Sequence, residues 1–315
     1  MKIVVTDGYT VNPGDLKWDA IAAHGELEIY DRTLPEQVME RCSNADIILT
    51  NKVAITKEVM QQCEKLKLIS VLATGYNVID THAAGENAII VCNVPAYGTA
   101  SVAQHTFALL LELSNRVGLH ASSVASGGWE KSEDWCYRLG PITELAKKKL
   151  GIVGFGHIGQ QVAIIATAFG MQVLYYSSHN KGNQLATYTD LETLFSESDV
   201  VTLHCPLTAD NRAFVNQRLL SRMKSTAFLI NTARGLLIDE QDLADALNSQ
   251  QIAGAAVDVL SHEPPLSANP LLLAKNCIIT PHNAWMSREA RERVIGITTQ
   301  NINSFLQGQP INQVR

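Results

Sequence analysis

The stretch Leu150-Gly151-Ile152-Val153-Gly154-Phe155-Gly156-His157-Ile158-Gly159 decides the fold. A strand-like apolar run leads into Gly-x-Gly-x-x-Gly. A helical pattern follows, with apolar residues at Ile158, Val162, Ile165, Ala166 and Phe169. Gly170 then stands where a helix ends on a left-handed residue. A Gly-x-Gly-x-x-Gly by itself is a weak signal, but between a strand and a helix it is specific. Gly154 permits the tight turn, Gly156 lets a pyrophosphate approach the backbone, and Gly159 lets the helix pack closely on the strand. The helix N-terminus adds free N–H groups and a partial positive charge for phosphates. The stretch reads as a dinucleotide cradle.

Outward from it the same rhythm recurs. Continuously apolar, β-branched runs stand at 3–6, 47–50, 68–73 and 89–92, then at 150–153, 173–176, 200–204, 227–231, 255–259 and 278–280. Strands covered on both faces in a parallel sheet read this way, without polar alternation. Helical patterns at 191–196 and 239–247 lie between them, so the fold class is α/β with doubly wound sheets. At roughly 150 residues per domain, 315 residues suggest two domains. The longest helical pattern, 101–116, presents Val102, Phe107, Leu110, Leu111 and Leu113, and reads either as an interdomain connector or as a dimer contact. A polar, glycine-containing stretch, 122–139, follows it.

Composition narrows the function. The chain is 46% hydrophobic and 18% charged, an ordinary globular balance, with a net charge of −6. That balance argues against a general binder of nucleic acid or of anionic membranes and favours small-molecule chemistry. No apolar run has the length of a membrane helix or a signal peptide. The six cysteines are scattered without a Cys-x-x-Cys pair, as expected of reduced thiols in a cytoplasmic protein with no metal site.

The second strand of a dinucleotide fold normally ends in a carboxylate that binds the adenosine ribose of NAD. Here the strand Val173-Leu174-Tyr175-Tyr176 ends in Ser177-Ser178-His179-Asn180-Lys181, with no acid. The usual barrier to the 2′-phosphate of NADP is missing, yet no arginine is present to grip it, and the motif admits both cofactors.

Three further motifs each follow a predicted parallel strand, where ligands sit in open α/β sheets: Asn231-Thr232-Ala233-Arg234-Gly235, Asp258 through Pro265, and Thr280-Pro281-His282-Asn283-Ala284-Trp285. Together they bring an arginine, a glutamate and a histidine to one edge. Arginine holds a carboxylate and polarises a carbonyl, histidine moves a proton, and glutamate orients the imidazole and favours its charged form. Singly, Arg234, Glu263 and His282 have ordinary surface readings; in this order behind a dinucleotide loop they make a chemical set. His105 and His204 read as packed or hydrogen-bonded, and Lys147-Lys148-Lys149 as a solvated connector. Trp135 reads as a packing residue or a substrate-side contact across a dimer, and Lys52 and Arg288 as electropositive candidates near the substrate.

These residues resemble the D-2-hydroxyacid dehydrogenase family. The resemblance runs from Leu72-Ala73-Thr74-Gly75-Tyr76-Asn77-Val78-Ile79-Asp80, through Val94-Pro95-Ala96-Tyr97 and Ser101-Val102-Ala103-Gln104-His105, to the three motifs above, covering nearly the whole chain. Within the family, Ala73 to Asn77, Asp134-Trp135-Cys136-Tyr137 and Pro281 to Trp285 are most similar to the glycerate dehydrogenase or hydroxypyruvate (glyoxylate) reductase branch.

The resemblance implies a Rossmann cofactor domain (99–285) inserted into a flavodoxin-like substrate domain (1–98 with 286–315). It also implies dimerisation through the cofactor domain. It makes Arg234 the binder of the substrate carboxylate and carbonyl oxygen, His282 the general acid or base, and Glu263 its partner. Thr74, Gly75 and Lys52 would hold the substrate from the first domain. NAD or NADP would lie along Gly154, Gly156, His157, Ile158, Gly159, Ser177, Ser178, Cys205, Pro206, Thr232, Ala233, His282 and Ala284, with Asp258 on the nicotinamide carboxamide. The implied reaction is reduction of hydroxypyruvate or glyoxylate to glycerate or glycolate. The alternatives are another 2-oxoacid such as pyruvate, or a dinucleotide-sensing regulator of the corepressor type that shares the fold.

Overall fold

The computed structural model describes residues 1–314. The chain forms two compact units, one made of Met1–Gly98 and Trp285–Arg315 and the other of Thr99–Ala284. The boundary expected after residue 285 thus falls after Ala284, because Trp285 packs edge-on against Tyr97 of the first unit at 6.0 Å between ring centres.

The first unit is built on a five-stranded parallel sheet. Its strands are β1 (Lys2–Val5), β2 (Glu26–Ile29), β3 (Ile47–Thr50), β4 (Leu68–Val71) and β5 (Ile90–Cys92), in the order β2-β1-β3-β4-β5. That is the flavodoxin-like order, with its switch point between β1 and β3. Both faces are apolar because alternate residues enter different cores. Val4, Ile48, Ile69 and Val91 pack on one side, and Ile3, Val5, Ile47, Leu49 and Leu68 on the other. The helix Arg288–Leu306 covers the second side with Ala290, Val294, Ile295 and Ile302. Sequence reading missed β2, whose Glu26-Leu27-Glu28-Ile29 alternates as an edge strand does, with Glu28 paired to Lys2 at 2.7 Å.

The second unit carries seven parallel strands: β6 (Lys149–Val153), β7 (Gln172–Tyr176), β8 (Thr187–Tyr188), β9 (Val200–Leu203), β10 (Phe228–Asn231), β11 (Gly254–Val257) and β12 (Cys277–Ile279). Their order is β12-β11-β10-β9-β6-β7-β8, so the switch point lies between β6 and β9, where Leu150 pairs with Val200 and Val153 with Leu203. One face buries Ile152, Val173, Tyr175, Phe228 and Ile230 under the helices Thr99–Asn115 and His157–Ala168. The other buries Val201, Leu203, Leu229 and Val257 with Leu194, Leu243 and Leu247. The two parallel sheets are the expected α/β architecture.

Several expectations need correction. The runs 68–73, 200–204 and 255–259 overran their strands, which end at Val71, Leu203 and Val257. His204 and Asp258 still donate to the neighbouring strands' Val153 and Asn231 carbonyls, but beyond them the chain leaves the sheet to build loops. The helix Val117–Ala125, which the sequence reading did not contain, enters the polar stretch 122–139, and none of its residues is buried, so it shows no apolar stripe to read. Thr99–Asn115 is packed into the second unit through Ala103, Phe107, Leu110 and Leu113. Phe169, the last apolar residue of the helical pattern, is 40% exposed and stacks on Phe107. The two-residue β8 gave no signal in the sequence.

Candidate active site

The Gly-rich turn behaves as its three glycines require. Gly154 has φ +96°, and a Cβ there would stand 2.4 Å from the Cys205 nitrogen, against the loop that leaves β9. A Cβ on Gly159 would stand 2.3 Å from the Gly154 carbonyl oxygen. Gly156 is the exception, since nothing lies within 4 Å of where its Cβ would point. The turn is therefore tight beneath and open above, which is the shape a pyrophosphate needs. Gly156 is also the N-cap of His157–Ala168 and offers no side chain to the first-turn amides of His157 and Ile158. The residues present fit a dinucleotide. Gly170 ends the helix with φ +72°, and its N–H donates to Thr167 O. Cys205, next in the groove, has its thiol pushed up to about 11 by burial, so it is a neutral wall and not a nucleophile.

At the end of β7, Ser177 Oγ donates to His179 O at 2.6 Å and Ser178 Oγ lies 3.0 Å from His179 Nδ1. Tyr175 from the strand donates to Asn180 Oδ1 at 2.7 Å. These side-chain bonds are local; the one longer contact is from the Tyr188 hydroxyl, which donates to Ser177 O at 3.5 Å, and Ser177 and Ser178 are only partly covered.

The loops after β10, β11 and β12 are tied to one another. Asn231, fully buried, accepts from Ala233 N and donates to Arg234 O, closing the turn that turns Arg234 outward. A Cβ on Gly235 would fall 1.9 Å from the Leu260 carbonyl carbon, so only glycine lets the Arg234 loop lie against the loop that carries Glu263. Glu263 Oε1 accepts from Leu260 N at 3.0 Å, and its Oε2 lies 2.6 Å from His282 Nδ1. A carboxylate accepts, so Nδ1 carries the proton of that bond and Nε2 is left for another partner. His282 is itself left-handed, with φ +50°, an uncommon conformation for a residue other than glycine and of the kind found at functional sites.

Asp258 keeps that conformation in place. Its carbonyl accepts from His282 N, and its carboxylate accepts from Thr280 Oγ1 at 2.6 Å and from Asn283 N and Ala284 N at 3.0 Å. The side chain is 1% exposed. Thr232 is buried and pairs with Thr106 at 3.1 Å.

In the first unit, Asp7 at the end of β1 accepts from Asn51 N and Lys52 N at 2.8 and 2.6 Å. Thr74 Oγ1 donates to Val94 O, and Asn93 Nδ2 donates to Thr74 O, which fixes the turn carrying Gly75. Arg288 pairs with Glu292 one helical turn on, at 3.0 Å. Trp135 is 87% exposed, so within this chain it does not pack. His204 pairs with Thr202 at 2.9 Å, and burial pushes its imidazole down to about 3. Asp7, Asn93, Asn231, Ser101 and His105 were given no site role from sequence. The one available signal was their polarity next to strand or helix ends in an apolar context.

The profile of the family described as D-isomer specific 2-hydroxyacid dehydrogenase, NAD binding domain, matches residues 107–284. The chain is 48% identical to the hydroxypyruvate reductase of Blautia hydrogenotrophica, over 100% of this chain and 99% of that one. It is 40% identical to the glycerate dehydrogenase of Methylorubrum extorquens, over 92% of each. Among solved structures, an acyclic imino acid reductase in complex with NADPH and D-Arg is similar with a TM-score of 0.89, at 34% identity and full coverage of both chains. With a cradle for a dinucleotide, a carboxylate-bound imidazole past a strand of the same parallel sheet, and this kinship, the chain belongs to the D-2-hydroxyacid dehydrogenases, oxidoreductases that act on a CH–OH group with a nicotinamide dinucleotide.

Proposed function

We propose that this enzyme reduces hydroxypyruvate or glyoxylate to D-glycerate or glycolate. The observation that carries the proton chemistry is the 2.6 Å bond from His282 Nδ1 to Glu263, on loops locked to each other through Gly235 and Asp258. The choice of oxoacid is supported by the similarity to a hydroxypyruvate reductase and a glycerate dehydrogenase. Bound NAD(P)H supplies the hydride to the carbonyl carbon.

In this reading His282 Nε2 delivers a proton to the carbonyl oxygen, while Glu263 holds the ring and offsets the charge of the imidazolium before transfer. Arg234 binds the substrate carboxylate and polarises the carbonyl. The amides of Thr74 and Gly75, with Lys52, bind the carboxylate from the first unit. The backbone of Gly156, His157 and Ile158 receives the pyrophosphate, and Cys205, Pro206, Thr232, Ala233 and Ala284 line the rest of the groove. The ribose pocket of Ser177 and Ser178 admits NADH and NADPH. We place the enzyme in the cytoplasm, as a homodimer. The dimer is supported by Val117, Leu119 and Val124 on a helix with no buried residue, and by Trp129 and Trp135, all exposed on the second unit.

Loss of nicotinamide absorbance, followed with NADH and NADPH against hydroxypyruvate, glyoxylate, pyruvate and a longer 2-oxoacid, tests the reading. The highest kcat/KM is expected with hydroxypyruvate or glyoxylate. A clear preference for pyruvate or the longer acid would overturn the substrate assignment.

A further inference from the structure

The helix Thr99–Asn115 reaches the His282 loop at two points. Ser101 Oγ donates to Ala284 O at 2.6 Å, and His105 Nε2 lies 3.1 Å from Thr280 Oγ1. Ser101 and His105 are four residues apart and so share one face of the helix. The roles in this chain of bonds follow from proton counting. Thr280 has one hydroxyl hydrogen and gives it to Asp258 Oδ1, which can only accept. Its oxygen must then accept from His105, so Nε2 of His105 bears a hydrogen. The same Nε2 is 3.5 Å from Asp258 Oδ1, which places a basic ring beside a carboxylate that is 1% exposed. Asp258 in turn holds the amides on the far side of His282, at Asn283 and Ala284.

We propose that His105 is a positioning residue for the acid His282, acting through Thr280 and Asp258. This rests on the reading of His282 as proton donor. The left-handed His282 backbone is held only as firmly as Asp258 is oriented, and Asp258 Oδ1 is oriented by the Thr280 hydroxyl that His105 sets. Without the Nε2 donor, Thr280 is free to turn, the Asp258 carboxylate loses one fixed partner, and the imidazole drifts from its transfer geometry. A displacement of about 1 Å at such a group costs up to about a hundredfold in rate.

The test compares full-length wild type with His105→Leu, His105→Gln, Thr280→Val and His282→Ala. It measures kcat and KM with the best oxoacid, NADH affinity by fluorescence, and melting temperature. His105→Leu is expected to lower kcat about tenfold or more, with NADH affinity and oxoacid KM changed less than about threefold. Thr280→Val should produce a similar loss, and the His105→Leu/Thr280→Val double variant no more than either alone, since both cut one chain of bonds. His105→Gln, which keeps a side-chain N–H donor, should recover most of kcat. A His105→Leu protein with unchanged kcat beside an inactive His282→Ala overturns the proposal and leaves His282 as the acid. Equal losses in His105→Leu and His105→Gln that follow melting temperature alone also overturn it, in favour of packing. Near-normal turnover by His282→Ala removes the underlying reading, and the proposal with it.

Discussion

Two loops of the second unit leave the same edge of the same sheet and are built in opposite ways. The loop after β7 is held by its own neighbours: Ser177 to His179, Ser178 to His179, Tyr175 to Asn180. The loop after β12 is held by residues far away in sequence, Ser101, His105 and Asp258. In the proposed function, the first sits where specificity between two cofactors is read, and the second where a proton must be delivered. A specificity loop tolerates change because little else depends on it. A loop that aims an acid has to be over-determined, since it also keeps a backbone out of its preferred region.

The largest effect expected from this contrast is at His282. His282→Ala should lower kcat by about a hundred- to ten-thousandfold while NADH affinity stays near wild type, measured by steady-state kinetics and fluorescence titration. Asp258→Asn should come next. Its amide cannot accept at both ends, so buried N–H groups lose partners, and both kcat and melting temperature should fall, by about 1–3 kcal/mol in stability for each group left unpaired. A variant that kept its melting temperature would break the claim that this loop depends on Asp258.

Ser177→Asp sharpens the other half of the comparison. The new carboxylate would repel a 2′-phosphate, so the NADPH to NADH ratio of kcat/KM should drop about tenfold or more with no change in melting temperature. A changed melting temperature would show that the β7 loop is not the independent element described above.

The smallest effect concerns the β9 end between the two loops. Burial lowers the His204 imidazole to about 3 from its ordinary 6.5. The unfolded chain therefore takes up this proton below about pH 6.5 while the folded one does not, and stability falls as pH drops from there toward 3. The urea midpoint of wild type should decline between pH 7 and pH 5, and His204→Gln should flatten part of that decline.

Much of this was legible in the residues. Ten strands announced themselves because a parallel sheet covered on both faces needs uninterrupted apolar runs such as Ile47 to Thr50 and Leu150 to Val153. The three glycines, and Arg234, Glu263 and His282, were legible because each stands just past such a run. The edge strands Glu26–Ile29 and Thr187–Tyr188 were not, since a strand exposed to water has no need of that composition. Nor was the helix Val117–Ala125, which buries nothing. The straps on the His282 loop were hidden for a different reason. Ser101 lies 183 positions from Ala284 and His105 lies 175 from Thr280, and a single serine or histidine on a helix face carries no mark of a partner so distant. Asp258 was seen as a site residue, but its bonds to Thr280, Asn283 and Ala284 were not, because its burial appears only once the loop is closed over it.

The bond from Ser101 to Ala284 also bears on how the chain folds. It joins the first turn of the second unit to its last residue, so that unit, once formed, has its two ends side by side. Loop-closure entropy grows with the length of free chain between two contacting segments. The helix Arg288–Leu306 must find strands laid down before residue 93, and with the insert unfolded that search spans the longest loop in the molecule. With the insert folded it spans almost none. Hydrogen exchange during refolding should therefore protect the amides of β6 and β9 before those of Arg288–Leu306, with the inner unit serving as the clip that lets the outer one close.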